Sequence, residues 1–371
     1  MTTGNAVRDL ADRPTALGLL ALFGILTLLL APSAQAVETP ANLYVCKPKA
    51  KNIAPLPSPP KLPPEVEAKL PATIEDDEFK PVCPRGEVPY STIPTSQVLP
   101  PKLPPNRDRF ASKSGQAEAT ASREQKSNGA WYSYANGTQS GLSAAKGYNG
   151  LWVWQTNEQP YIPYEESLAG SHSLGQLWAV REWGGCTSYA ETGWIESAGQ
   201  YNGNYEPHLF ITGNDCGRAL GQMSVGNPNW VQSSSVIWPG AVVTHNDKFH
   251  SYGARMDGNN WWFYYDGQWV GYIKHAAWTT LFPGYLTRGD AGGEVATNNK
   301  WTCADMGYAG LLGTNPGAAM FSDVWYEYNY QTQVELAKLS PHHTDPNNYV
   351  TGNWYEGIPG AEFRYGGPGW C

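Results

Sequence analysis

An all-β fold, in the form of an antiparallel β-sandwich with jelly-roll-like connections, is what this sequence calls for, and three observations lead there. Only 16% of the 371 residues are charged, while glycine numbers 40 and aromatic residues make up 13%, a composition that suits strands and tight turns better than solvent-facing helices. Short aromatic and β-branched runs recur at short spacing with Gly-rich breaks between them, the pattern of sandwiches and barrels. No stretch carries a long amphipathic helical period.

Taken in order, the chain begins with a targeting segment. Arg8 and Arg13 precede an apolar run from Ala16 to Leu30, and Ala34 and Ala36 supply a small-residue cleavage site. Residues 1–36 therefore read as a cleaved signal peptide, and the protein as secreted and extracellular, with no membrane association after removal of the signal. Between 37 and 105 lie more than half of the 30 prolines and no tryptophan, whereas all 16 tryptophans follow from Trp131 onward. Proline-rich chain is extended and packs poorly, so this break marks a boundary. The polar stretch 106–129 reads as an exposed, cleavable linker. Residues 37–128 are thus expected to be a pro-segment with its linker, and 129–371 the β-sandwich domain.

Within that domain, RMDGNNWWFYYDGQWVGYIK reads as a meander of short strands, its turns marked by Asp257-Gly258 and Asp266-Gly267. LGQLWAVR, HLFITG, SSVIWPGAVV and AMFSDVWYEYNY are further strand candidates. The 6 cysteines form an even set in an exported chain, so disulfides are expected. If the two segments are separate units, Cys46 with Cys83 is the natural local bridge, followed by Cys186 with Cys216 and Cys303 with Cys371.

The net charge of −8 and pI near 5.4 speak against a nucleic-acid partner. There is no CxxC pair, HExxH or G-x-S-x-G, so neither a metal site nor a serine nucleophile is expected. The chemistry is then sought among carboxylates. Glu191 sits in SYAETGWIES and Glu294 in RGDAGGEVATN, both in strand-like surroundings. Strand alternation puts Tyr189 and Gly193 on the face of Glu191, and Gly292 and Ala296 on that of Glu294. A glycine on each acid's own face would let an extended polypeptide approach. Two carboxyls brought together have their pKa values pushed apart, so that one activates water while the other donates a proton. The alternative is structural: Glu191 paired with a neighbour such as Arg181, and Glu294 capping a turn.

The motifs resemble a known family. E-x-G-W at Glu191, Gly193 and Trp194, then NNWW at Asn259 to Trp262, VGY at Val270 to Tyr272, GGEV at Gly292 to Val295 and MG at Met306 and Gly307 are similar, in order and spacing, to the neprosin family. QLW at Gln176 to Trp178, LF at Leu209 and Phe210, and WVQ at Trp230 to Gln232 follow the same pattern. The resemblance implies a secreted, acid-acting glutamic endopeptidase made as a zymogen, with Glu191 and Glu294 as the catalytic pair, no cofactor, and cleavage after proline. It also implies a groove lined by Gln176, Tyr189, Gly193, Trp194, Gly292 and Gly293, a peptide or protein substrate, proline-rich ones included, and the chain's own pro-segment as inhibitor of a monomeric enzyme. Ala190 and Ala291 replace the family's usual isoleucine and tryptophan, ITGNDCGRALGQ stands where a cysteine-rich stretch is usual, and VGYIKHAAW replaces VGYWP. The chain thus resembles a divergent, microbial member.

Two other classes fit part of the sequence. Tryptophan-rich secreted β-proteins include carbohydrate-binding, lectin-like modules, and a glycosidase also uses two carboxylates. Neither accounts for E-x-G-W and GGEV in that order. Glu166, Glu182, Glu196, Asp290 and Asp305 read as surface charges or turn formers, and the histidines as scattered surface or hydrogen-bonding residues.

Overall fold

Alternating apolar strands joined by tight turns build the protein almost entirely from antiparallel sheet. The computed structural model describes residues 44–57, 80–92, 130–137, 148–163, 167, 170–224, 226–278, 285–296, 304–308, 317–328, 333–336, 340–343, 350–352 and 363–367. The chain divides into Met1–Thr39 and Pro40–Cys371, and every described residue lies in the second unit. The signal peptide, the polar linker and the Cys303–Cys371 pair fall outside the described residues.

β1 (Tyr44–Pro48) and β2 (Glu87–Ser91) form a small two-stranded sheet. The Cys46–Cys83 disulfide anchors it, with Cα atoms 5.6 Å apart. The next strands are β3 (Ala130–Gly137), β4 (Tyr148–Asn157), β5 (His172–Trp183), β6 (Cys186–Glu196), β7 (His208–Asp215) and β8 (Arg218–Ala219). They are followed by β9 (Trp230–Gln232), β10 (Asn246–Asp257), β11 (Asn260–Tyr265), β12 (Gln268–Ile273) and β13 (Arg288–Ala296). The last are β14 (Ala319–Tyr328), β15 (Gln333–Leu336), β16 (Ser340–His343), β17 (Val350–Gly352) and β18 (Phe363–Gly366).

Two large sheets result. One runs β16-β3-β13-β5-β6-β7-β8, the other β17-β18-β14-β4-β10-β11-β12-β9 with β15 beside β14. They pack through Leu177, Ala179, Ala190, Trp194, Ala291 and Val295 on one side and Leu151, Val153, Tyr252, Ala254 and Phe263 on the other, all in one buried cluster. Most of the described tryptophans are core residues: Trp152, Trp178, Trp194, Trp261 and Trp262 are essentially inaccessible, and Trp183 is the one large exposed indole among the residues whose burial is described.

The meander is found where the turn dipeptides put it. Asp266 and Gly267 link β11 to β12 with φ of 36° and 79°, the two successive positive values a tight hairpin turn requires. A similar turn at Gly184 and Gly185, with φ of 60° and 83°, joins β5 to β6 and sets the register on which the site depends. SSVIWPGAVV is not a strand. Pro239 and Gly240 turn it back, Ala241 N–H donating to Trp238 O at 2.9 Å, and its one β contact is an isolated bridge from Val242 to His208. The Cys186–Cys216 bridge holds the ends of β6 and β7 with Cα atoms 5.0 Å apart.

Candidate active site

The two glutamates lie on the same sheet with one strand between them. β5 pairs with β6 on one edge and β13 on the other. Glu191 lies opposite Trp178 and Trp178 opposite Asp290; two residues along, Gly193, Gln176 and Gly292 face one another; two further, Ile195, Leu174 and Glu294. Paired residues share a face, so Glu191, Gln176 and Glu294 run diagonally across the face turned away from the sandwich core.

Glu191 is 0% exposed. Neither of its oxygens closes a hydrogen bond of standard geometry. Its pKa is raised well above the ordinary carboxylate range, first by burial and next by the negative charge of Glu294; the Trp178 indole across from it favours the charged form and is outweighed. The neutral acid is therefore the favoured state of Glu191.

Glu294 has different surroundings. Gln176 Nε2 donates to its Oε2 at 3.0 Å, and His172 Nε2 lies 3.9 Å from its Oε1. Gln176 fits because glycines face it on both neighbouring strands. A Cβ on Gly193 would sit 2.0 Å from Gly175 O and 2.7 Å from Gln176 Cα, so Gly193 allows β6 to approach β5 closely under the amide.

Beyond Glu294 the face becomes apolar: Leu174, Ile195, Tyr201 and Phe210 form one buried cluster. His208, opposite Ile195, stacks on Tyr201 with ring centroids 3.6 Å apart and planes 6° apart. Burial pushes the His208 pKa down to about 3, so the ring stays neutral in moderate acid. At the other end, Arg288 Nε donates to Asp290 at 2.9 Å and its Nη1 to Glu182 at 2.8 Å. A carboxyl whose neutral form is favoured, near a second carboxyl held by an amide donor, has the parts for general acid and base work on a polar bond.

A family model described as Neprosin matches residues 169–368, more than half of the chain and both glutamates. The chain belongs to the neprosin family. Its neprosin domain spans β5 to β18 and makes it a member of a peptidase family. No curated protein matches the chain. Among solved structures, it is similar to a beta-porphyranase of the human gut bacterium Bacteroides plebeius, at 14% identity and a TM-score of 0.21, covering 42% of this chain and 53% of that one. The chain thus spans about half of that enzyme's length. A beta-glucanase of Bacillus licheniformis gives 12% identity and a TM-score of 0.25 over 52% of this chain and 67% of that one. The kappa-carrageenase of Pseudoalteromonas carrageenovora gives 11% and 0.24 over 64% and 66%. Likenesses this slight carry nothing about the chemistry of the neprosin domain.

Gln176, Tyr189, Gly193 and Gly292 lie on the face of the two glutamates. Trp194 and Gly293, expected in the groove, do not: each is one residue out of phase and points into the sandwich. Trp194 Nε1 donates to Thr156 O at 3.0 Å. Gly293 lies opposite Gly175, and a Cβ on it would come within 2.3 Å of Tyr365 Cδ2, so this glycine pair makes room for Tyr365 in the core. Arg181 is not the partner of Glu191; its Nη1 donates to Tyr285 O at 3.2 Å.

Several residues expected at the surface are buried. Glu196 is inaccessible and burial raises its pKa to about 9. Asp290 is buried in its ion pair with Arg288, and burial raises Asp305 to about 6. Glu182 is partly exposed and pairs with Arg288, while Glu166 is outside the described residues. Of the histidines, His172, His208 and His250 are fully buried, and two of these stand on the site's face. The sequence reading gave Trp178 only a place in the QLW motif and His172 only that of a scattered histidine, and it did not single out Tyr201, although the period-two series 172, 174, 176, 178 running through Gln176 contains the first two. Among the described residues no group of His, Cys, Asp or Glu could hold a metal ion.

Proposed function

We propose that this neprosin-family chain is a secreted glutamic endopeptidase that works in acid, with Glu191 as the proton donor and Glu294 as the base. What carries this reading is the single diagonal Glu191–Gln176–Glu294 on one buried sheet face. Glu191, Gln176 and Glu294 are all buried, so the extended substrate lies along that face once the chain covering it has moved aside. Water attacks the scissile carbonyl carbon as Glu294 takes one of its protons, and the Glu191 carboxyl gives its proton to the carbonyl oxygen. The tetrahedral diol then collapses: the C–N bond breaks, the proton held by Glu294 passes to the leaving amine, and one diol hydroxyl returns its proton to Glu191 as the new C=O forms. Gln176 orients Glu294 for that proton transfer through its donated hydrogen bond. The apolar end at Leu174, Ile195, Phe210 and Tyr201 supports a flat, uncharged side chain beside the cleaved bond, with proline a preference the family suggests. The chain after the Cys46–Cys83 unit, ahead of the domain, keeps the enzyme latent by covering the groove until it is released.

The test is incubation of the processed protein with an unstructured protein substrate in acid, followed by mass spectrometry of the fragments. Cleavage is expected, insensitive to chelators and to serine or cysteine reagents, and lost in Glu191→Gln and in Glu294→Gln. Full activity in either variant removes that residue from the mechanism.

A further inference from the structure

The β1–β2 hairpin sits against the sheet that does not carry the glutamates. Its Val82 N–H donates to Ser235 O at 3.3 Å, and Ala54 N–H reaches the Tyr272 hydroxyl at 3.5 Å. The ring of Tyr44 meets that of Trp238 at 4.8 Å, and the Tyr90 hydroxyl interacts with the Gln232 backbone. Tyr44 and Tyr90 pack on the main core. Ile53 and Ala54 pack on a second cluster formed by Trp152, Trp154, Val231, Trp262, Trp269, Tyr272 and Trp325. Val88 in β2 is 0% exposed, as a core residue would be.

Two further features bear on what this hairpin does. β9, which it touches, is the last strand of its sheet, and an uncovered edge strand beside an aromatic patch invites aggregation. The hairpin's own disulfide is internal, and the other described disulfide joins β6 to the turn after β7. Neither ties the hairpin to the large sheets, so once the linker is cut its attachment is noncovalent.

We propose that the hairpin, with its described residues 44–57 and 80–92, is a permanent structural partner of the β9 edge and the aromatic face. It stays docked after the linker is cut, so that processing nicks the chain without removing its N-terminal part. The mature protein is then two chains held together without a covalent link. Cutting removes the high effective concentration a tether supplies, and the contacts of buried Val88 and of the partly buried Tyr44, Tyr90 and Ile53 hold the hairpin alone.

To test this, a recognition site for a specific protease is inserted in the 106–129 linker of the full-length chain. The protein is cut after folding and run on a sizing column without reductant, at neutral and at acid pH, followed by native mass spectrometry. Co-elution of the two fragments in equal amounts at both pH values is expected. Elution of the N-terminal fragment by itself overturns the proposal. In the same format Tyr44→Ala combined with Tyr90→Ala should weaken retention by about tenfold or more, as loss of aromatic anchors at an interface does, while the exposed-site control Lys51→Ala should not. Equal retention by the double variant would mean that these contacts do not hold the hairpin. The readout needs no peptidase activity, so it is independent of the catalytic assignment.

Discussion

Gln176 donates to Glu294 at 3.0 Å from the strand that separates Glu294 from Glu191, so one amide stands between the two acids. It is a positioning residue: it acts through the carboxylate it holds. Replacing it with leucine removes the donor while keeping most of the volume. We expect kcat to fall by roughly 10²-fold, comparable to loss of one preorganised hydrogen bond in an active site. The sign of the pH effect follows from the bond. The amide favours ionised Glu294, so without it the Glu294 pKa rises and the acid limb of the kcat/KM profile moves to higher pH. An unmoved limb together with unchanged kcat would rule out a role for the amide.

Gly193→Ala and Gly293→Ala separate the two faces of the sheet. A Cβ at Gly193 meets Gly175 O at 2.0 Å and displaces β5 under Gln176; one at Gly293 meets Tyr365 Cδ2 at 2.3 Å inside the sandwich. Overpacking of this kind costs about 1–3 kcal/mol, which lowers Tm by roughly 2–4 °C per kcal/mol in a domain of this size. Both variants should lose stability. At temperatures where both remain folded, Gly193→Ala should also lose most of its kcat, whereas Gly293→Ala should keep it. Equal activities would show that the register at Gly193 does not matter to the acids.

Much of this was legible locally and little of it non-locally. The β10–β11–β12 meander follows from its Asp-Gly dipeptides, and the alternation around Glu191 and Glu294 correctly places Tyr189, Gly193 and Gly292 with them. Trp194 and Gly293 were misplaced because a motif is read as a contiguous block, whereas a strand sends neighbours to opposite faces. Gln176 owes its position to register across three strands, which no local pattern states. The burial of Glu196 and His208 was hidden for the same reason: charge marks a residue as polar, and only packing determines whether water reaches it. Pro239-Gly240 inside SSVIWPGAVV was a turn signal that the β-branched residues around it masked.

The Arg288–Asp290 pair closes the Glu191 end of the face, with Arg288 2% and Asp290 0% exposed. Removing one partner of a buried pair leaves a charge without its offset and costs about 3–5 kcal/mol. Arg288→Met should therefore lower stability by that order in urea unfolding, and the double change Arg288→Met with Asp290→Asn should recover part of the loss. A double variant no more stable than the single one would show that the ion pair is not what the arginine supplies.

The buried carboxyls make the folded state favour acid. Burial raises Asp305 to about 6, Glu327 to about 7 and Glu196 to about 9, in Glu327 against the opposing effects of Arg255 and the Trp152 indole; Glu191 is also raised well above its usual value. Each folded-state pKa lies above the unfolded one, so the native protein binds these protons more tightly. Their contribution is fully present below the unfolded values of 3.8 for Asp and 4.5 for Glu and is lost as pH climbs through about 6, 7 and 9. His208 works the other way. Its pKa falls from 6.5 to about 3, so its contribution is lost as pH falls through that interval. Several carboxyls against one imidazole predict a Tm that is highest near about pH 5 and declines toward about pH 9. Glu196→Gln, which keeps the shape without the titration, should flatten the alkaline part of that decline in a thermal scan across pH. A Tm that rises steadily from acid to neutral would contradict the burial of these groups as ionisable acids. It would also undercut the neutral state assigned to Glu191, which rests on the same desolvation.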